Sequence, residues 1–166
     1  MGALKLIMNS QELESADEFF MKKALVEARR AVVSEDVPVG AVIVLKNKVI
    51  ARAHNQVELL GDPTAHAEMI AITEASAFLK SKWLKDCTLY VTIEPCSMCA
   101  GALVLSRIFK VVYGAGDPKT GAGGSVFNIL HNEKLNHRVK VKAGVLKEEC
   151  AAIIKEFFRK QRIRNN

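Results

Sequence analysis

The chain reads as an α/β protein, a five-stranded mixed sheet with helices on both faces. Three observations predict it. Segments of β-branched, apolar residues alternate with segments whose apolar residues recur at helical spacing. In chain order they make five strands and about five helices. The chain has 166 residues, 49% hydrophobic and 25% charged, which is one ordinary domain long enough to bury a core.

Residues 1–14 read as an N-terminal tail without a motif, and 15–166 as a single domain. From Ser15, residues Phe19, Phe20, Ala24, Leu25, Ala28 and Val32 keep helical spacing and predict a helix to about Val33, ended by S-E-D-V-P. V-G-A-V-I-V-L-K and K-V-I-A-R-A-H predict two strands in a hairpin around Asn47. Q-V-E-L-L-G-D-P reads as a loop, and Thr64 as the N-cap of a helix to about Lys80. C-T-L-Y-V-T-I-E is a buried strand halted by Pro95, S-M-C-A-G-A-L-V-L-S a helix, and K-V-V-Y-G-A a strand. T-G-A-G-G-S reads as flexible loop, and S-V-F-N-I-L-H as a short helical turn. R-V-K-V-K-A-G-V is the last strand. Leu146, Cys150, Ile153, Ile154, Phe157 and Phe158 stripe the last helix.

The net charge is +6, and residues 137–166 account for all of it, with nine Lys/Arg against three acids. A basic end suits a polyanionic partner, and it equally suits a solvated helix terminus whose cations complement the helix dipole. No run of about 18 apolar residues predicts a membrane span. The first twenty residues lack the pattern of a secretory signal. Four cysteines, two of them in C-x-x-C downstream of an H-x-E, fit a reducing compartment and metal binding better than disulfides. The expected location is cytoplasmic.

The chemistry concentrates in T-A-H-A-E (64–68) and E-P-C-S-M-C (94–99). A helix starting near Thr64 carries His66 and Glu68 in its first turn. Pro95 halts a strand, Cys96 opens the next helix, and Cys99 follows one turn later. A helix N-terminus favours the thiolate, the metal-binding form. Two thiolates and one imidazole are a good zinc set. Structural zinc sites close with four protein ligands, and no fourth is evident, since Cys87, Cys150, His54, His131 and His137 have no paired spacing. That leaves Glu68 as acid/base for a metal-activated water. H-x-E or C-x-x-C alone is weak; both together, each at a helix start, are far more specific.

On these motifs the chain resembles the zinc-dependent nucleoside deaminases, whose signature is H-x-E…P-C-x-x-C. V-P-V-G-A-V-I-V, D-P-T-A-H-A-E, T-L-Y-V-T-I-E-P-C-S-M-C-A-G-A, S-R-I, D-P-K-T-G-A-G-G-S, L-N-H-R-V and F-F-R extend the similarity to the bacterial tRNA-specific adenosine deaminases of the TadA type, over about residues 15–164. The resemblance implies a three-layer α/β/α cytidine-deaminase-like fold and one Zn2+ per subunit on His66, Cys96 and Cys99. It also implies a homodimer whose loops border the partner's pocket, and a tRNA anticodon stem-loop as substrate. The implied reaction is hydrolytic. Glu68 takes a proton from a water whose pKa the zinc lowers from about 15.7 to about 7. Water adds at C6 of the wobble adenine, ammonia leaves, and inosine remains.

By the same resemblance Asn55 holds the base and Val39 belongs to the pocket wall. Asp117, Asn136 and His137 line the entrance, and Phe157, Phe158 and Arg159 meet the anticodon loop by stacking and phosphate contact. From the residues alone, Asn55 also reads as a loop cap, Val39 as core, and Phe157 and Phe158 as the core face of their helix. His54 and Gly116 depart from the usual pattern, which has an aromatic and a basic residue there. Two other readings stand beside this one. A deaminase of free nucleobases or nucleotides, of guanine or cytosine type, would share the zinc motif but lack the basic F-F-R-K-Q-R-I-R end and the N-H-R-V loop. A zinc-stabilised nucleic-acid-binding module would want a fourth ligand.

Overall fold

Successive strand residues point to opposite faces of a sheet, so a strand that is apolar throughout must be covered on both sides. The first strand here, G-A-V-I-V-L, is buried from Gly40 to Val44. The computed structural model describes residues 10–166, with side chains from Ala16 onward. Helix α1 (Ser10–Ala31) runs into a 3-10 turn (Val32–Ser34), followed by β1 (Gly40–Leu45), β2 (Lys48–His54), a short α2 (Val57–Leu60) and α3 (Ala67–Leu79). Then come β3 (Thr88–Ile93), α4 (Ser97–Leu105), β4 (Lys110–Ala115), β5 (Lys140–Ala143) and α5 (Lys147–Arg164).

The sheet order is β2-β1-β3-β4-β5, antiparallel across β2, β1 and β3 and parallel across β3, β4 and β5. Lys46 and Asn47 turn the hairpin with left-handed φ of 49° and 62°, as a tight two-residue turn requires. On one face, Ala41, Ile43, Leu89, Val91 and Val111 meet Ala67, Ala71 and Ala75 of α3 and Ala100 and Leu103 of α4. On the other, Val42, Val44, Tyr90 and Val112 meet Phe20, Met21, Ala24 and Leu25 of α1 and Cys150 of α5. Small residues let the layers come close. A Cβ on Gly40 would run into the α1 backbone at Ala24 and Ala28. The predicted three-layer α/β/α architecture is what forms.

Four local expectations change. Helix α1 begins at Ser10, before the predicted Ser15, and the rest of the expected tail, residues 1–9, lies outside the described residues. Q-V-E-L-L is not all loop, because Asp36 accepts the Glu58 and Leu59 N–H groups (2.6 and 3.2 Å) and so caps α2 from a distant segment. Thr64 does not cap α3. Its N–H and hydroxyl both bond Asp62 Oδ1 (2.8 and 2.7 Å), and His66 takes the cap position. S-V-F-N-I-L-H forms no helical turn; it stays irregular, with Gly123 bridging Asn128.

Candidate active site

Helices α3 and α4 both start at the end of the sheet where β3 and β4 finish, the edge at which open α/β sheets place their sites. Their N-cap residues are His66 and Cys96, both with extended backbones and neither side chain capping its helix. Those side chains are therefore free to face one another. His66 Nδ1 lies 3.7 Å from Cys96 Sγ and 3.6 Å from Cys99 Sγ, and the three donor atoms all fall within 4.8 Å of one another. Among the described residues this is the group of His, Cys, Asp or Glu side chains that could hold a metal ion, and it has three members.

The electrostatics favour a ligand role. The bond donated by Cys99 pulls the Cys96 thiol down to about 4, with His66 adding to the effect and burial opposing it. Cys99, as the donor, is pushed up. The bond to Cys96 also raises the His66 imidazole, against burial. A lowered Cys96 thiol favours the thiolate, the form in which a cysteine binds a metal.

Glu68, the second residue of α3, is 3% exposed and lines the same pocket. Burial pushes its carboxyl up to about 7, against the pull of its own backbone N–H and of His66. A carboxyl poised there gains and loses a proton readily near neutral pH, as a general acid/base must.

The pocket above this cluster holds about 700 Å³, within the range of small-molecule sites. Val39, Asn55 and Asp117 line it, together with Phe157 and Phe158 from α5. Asn55 is 8% exposed, and its backbone N–H donates to the Val39 carbonyl (3.1 Å). Its Oδ1 accepts the Ala67 N–H at the start of α3 (2.9 Å). Only an oxygen can accept that bond, so the amide orientation is decided and Nδ2 is left as a donor. Phe157 is buried and Phe158 is 41% exposed, with the two rings edge to face at 5.3 Å. Arg159 is exposed and paired with Glu156 (2.8 and 2.7 Å), outside the pocket lining.

Two residues named from the sequence lie elsewhere on this chain. Asn136 lines a separate groove with Trp83, Leu105 and Arg107, and its carbonyl accepts from Arg107 (2.7 Å). His137 Nε2 is 2.6 Å from the Ile108 carbonyl. Sequence reading also passed over two buried pocket-lining acids, Asp36 and Glu94, each 1% exposed. The signal available for Glu94 was a carboxylate closing an otherwise apolar strand.

The family model for MafB19-like deaminases matches residues 15–162. A tRNA-specific adenosine deaminase of Aquifex aeolicus is 56% identical over 149 residues, covering 90% of this chain and 97% of its own length. The Bacillus subtilis tRNA-specific adenosine deaminase is 51% identical over 146 residues, 88% of this chain and 91% of its own. Among solved structures, one from work on A-to-I editing by tRNA:A34 deaminases superposes with a TM-score of 0.78 at 44% identity, over 81% of this chain and 98% of that one. A guanine deaminase from Nitrosomonas europaea shares the fold at 24% identity, with a TM-score of 0.73 over 95% of this chain and 97% of that one. The chain belongs to the family of the tRNA-specific adenosine deaminases, within the MafB19-like deaminases.

Proposed function

We propose that this chain is a zinc-dependent tRNA adenosine deaminase, converting the wobble adenosine of an anticodon and water to inosine and ammonia. The observation that carries the reading is the buried Glu68 carboxyl beside the three-member His/Cys/Cys cluster, with Glu68, His66 and Cys96 lining the pocket. The donors fit zinc. With Zn–S about 2.3 Å and Zn–N about 2.05 Å, tetrahedral geometry separates N from S by about 3.6 Å. His66 Nδ1 stands 3.7 and 3.6 Å from the two sulfurs.

His66, Cys96 and Cys99 would hold the ion, which when bound lowers the pKa of a water to about 7 and so supplies a nucleophile. Glu68 then takes that water's proton and delivers it to the ring nitrogen as the water oxygen adds at C6. A second transfer, to the leaving amine, completes the loss of ammonia. Asn55 orients the base through its free Nδ2 donor, and Val39 gives it an apolar wall. Phe158 offers an exposed ring at the mouth, and Arg159, Lys160 and Arg162 lie beside it on α5 for phosphates. Asn136 and His137, remote from this chain's own pocket, serve in a homodimer in which one subunit's loops border its partner's site. Among the described residues no helix is long and apolar enough to cross a membrane, and a tRNA substrate fits a cytoplasmic enzyme.

The experiment is incubation of the zinc-loaded protein with total tRNA and with an anticodon stem-loop bearing a wobble adenosine, inosine being read by mass spectrometry. Free adenosine, adenine, guanine and cytosine run alongside. Inosine in the stem-loop, with Glu68→Gln at least 1,000-fold slower and still holding zinc, is the expected result, on the order of 4 kcal/mol of transition-state stabilisation. Full activity of Glu68→Gln would sink the mechanism. Turnover of a free base alone would move the protein to the nucleobase deaminases.

A further inference from the structure

Glu94 follows β3, just before Pro95 and the Cys96 that caps α4, and faces the loop 117–125. It is 1% exposed and lines the pocket, and no Lys or Arg lies within ion-pair distance of it among the described residues. Its carboxylate takes four bonds from one loop. Oε1 accepts the Gly123 and Ser125 N–H groups, both at 3.0 Å. Oε2 accepts the Asp117 N–H at 2.9 Å and the Ser125 hydroxyl. The loop closes on the adjoining residues as well, with Ala122 N–H bonding the Pro95 carbonyl (2.8 Å) and Gly121 bridging Cys96. Gly121 has no room for a Cβ, which would strike the Glu94 carboxyl.

The two loop residues that reach the pocket are Asp117 and Thr120, and they are bonded to each other (2.6 Å). Their place at the mouth therefore follows from where the loop is pinned. Four donors converging on one side chain demand a group that only accepts. A glutamine offers one acceptor oxygen, and its NH2 would face N–H donors with nothing to receive it. Aspartate is one methylene shorter and cannot span both sets of donors.

We propose that Glu94 is a positioning residue for the pocket mouth, setting Asp117 and Thr120 where the substrate strand docks. The inference rests on the tRNA deaminase reading for its substrate. In this role Glu94 does no work on the reacting atoms. It acts through the loop, so its loss raises KM more than it lowers kcat.

The test uses the zinc-loaded full chain, a wobble-adenosine stem-loop, zinc content by mass spectrometry and hydrogen exchange over residues 117–125. Glu94→Gln is expected to raise KM at least tenfold with kcat within threefold and zinc retained, and to speed exchange in 117–125 but not in 40–54. Ser125→Ala, which removes one of the four bonds, is expected to raise KM a few-fold in the same pattern. Exchange in 117–125 unchanged in both variants overturns the proposal, as does a Glu94→Gln protein that melts earlier with KM unmoved. If Glu94→Gln does not fold, Ser125→Ala decides, and an unchanged KM there overturns it. The exchange measurement needs no substrate, so wild-type protein that fails to make inosine would defeat the functional reading while leaving the pinned loop testable.

Discussion

In the proposed function Asn55 does two jobs with one amide, anchoring α3 and orienting the base, and two substitutions separate them. Oδ1 accepts the Ala67 N–H at 2.9 Å in a buried setting, which anchors the start of α3 one residue from His66. Asn55→Asp keeps an acceptor in that place, and the positive end of the helix dipole favours it. It removes the Nδ2 donor offered to the base. Losing one such bond in a closed pocket costs about 1.5–3 kcal/mol, or roughly 10- to 150-fold in kcat/KM. The new carboxylate also shares the pocket with Glu68, which adds to the loss. Asn55→Ala loses the donor and also leaves the Ala67 N–H unpaired, about 2 kcal/mol of stability, which lowers Tm by about 4–8 °C in a domain of this size. Calorimetric Tm and stem-loop kinetics on the two zinc-loaded variants give the answer. Asn55→Asp at wild-type kcat/KM would refute the donor role, and Asn55→Ala at wild-type Tm would refute the anchoring.

Metal removal should act on stability as well as activity. If zinc is present at about 1,000 times its Kd, binding contributes about 4 kcal/mol, so Cys96→Ser or exhaustive chelation should drop Tm by roughly 8–16 °C. Scanning calorimetry beside zinc analysis checks this, and an apoprotein that melts with the holoprotein would show that the cluster holds nothing of consequence. For α5, RNA affinity should fall linearly in log salt, and each phosphate contact removed should reduce the slope by about 0.7. Arg162→Ala should show the full decrement, because Arg162 has no ion-pair partner among the described residues. Arg159→Ala should show less, since Glu156 already occupies its guanidinium. Equal slopes in wild type and both variants would place the RNA elsewhere.

What could be read from the sequence was whatever depends on neighbours along the chain. H-A-E and P-C-x-x-C were legible as a group because local spacing sets their side chains at helix starts, where His66, Cys96 and Cys99 come together as a cluster that could hold a metal ion. The hairpin around Asn47 was legible because its β-branched flanks and tight turn are local. Thr64 misled for a related reason. A threonine before a helix is a good cap by preference, but Asp62, two residues back, competed for its hydroxyl and moved the cap to His66. The question of whether Phe157 or Phe158 faces the core needed the rotation of α5 against the sheet, which buries the first and leaves the second at the pocket mouth.

The two acids that escaped notice share a different cause. Asp36 bonds the N–H groups of Glu58 and Leu59, and Glu94 those of Asp117, Gly123 and Ser125. Their partners are mainly backbone amides from segments about twenty to thirty residues away, and every residue but proline carries such an amide. The partner side chains therefore leave almost no trace in the sequence. A buried ion pair would have shown a complementary cation; a carboxylate clamped on main chain shows only itself. The trace it does leave is negative. An acid that closes an apolar strand, as in T-L-Y-V-T-I-E, must lose its hydration, and that loss is tolerable only if several donors replace the water. Where no cation stands near to supply them, a remote loop must, and that loop is held where the carboxylate holds it. In this protein both clamped segments, 57–60 and 117–125, contribute residues to the pocket. The carboxylates that sequence pattern left unexplained are thus the ones that shape the mouth around the chemistry it could read.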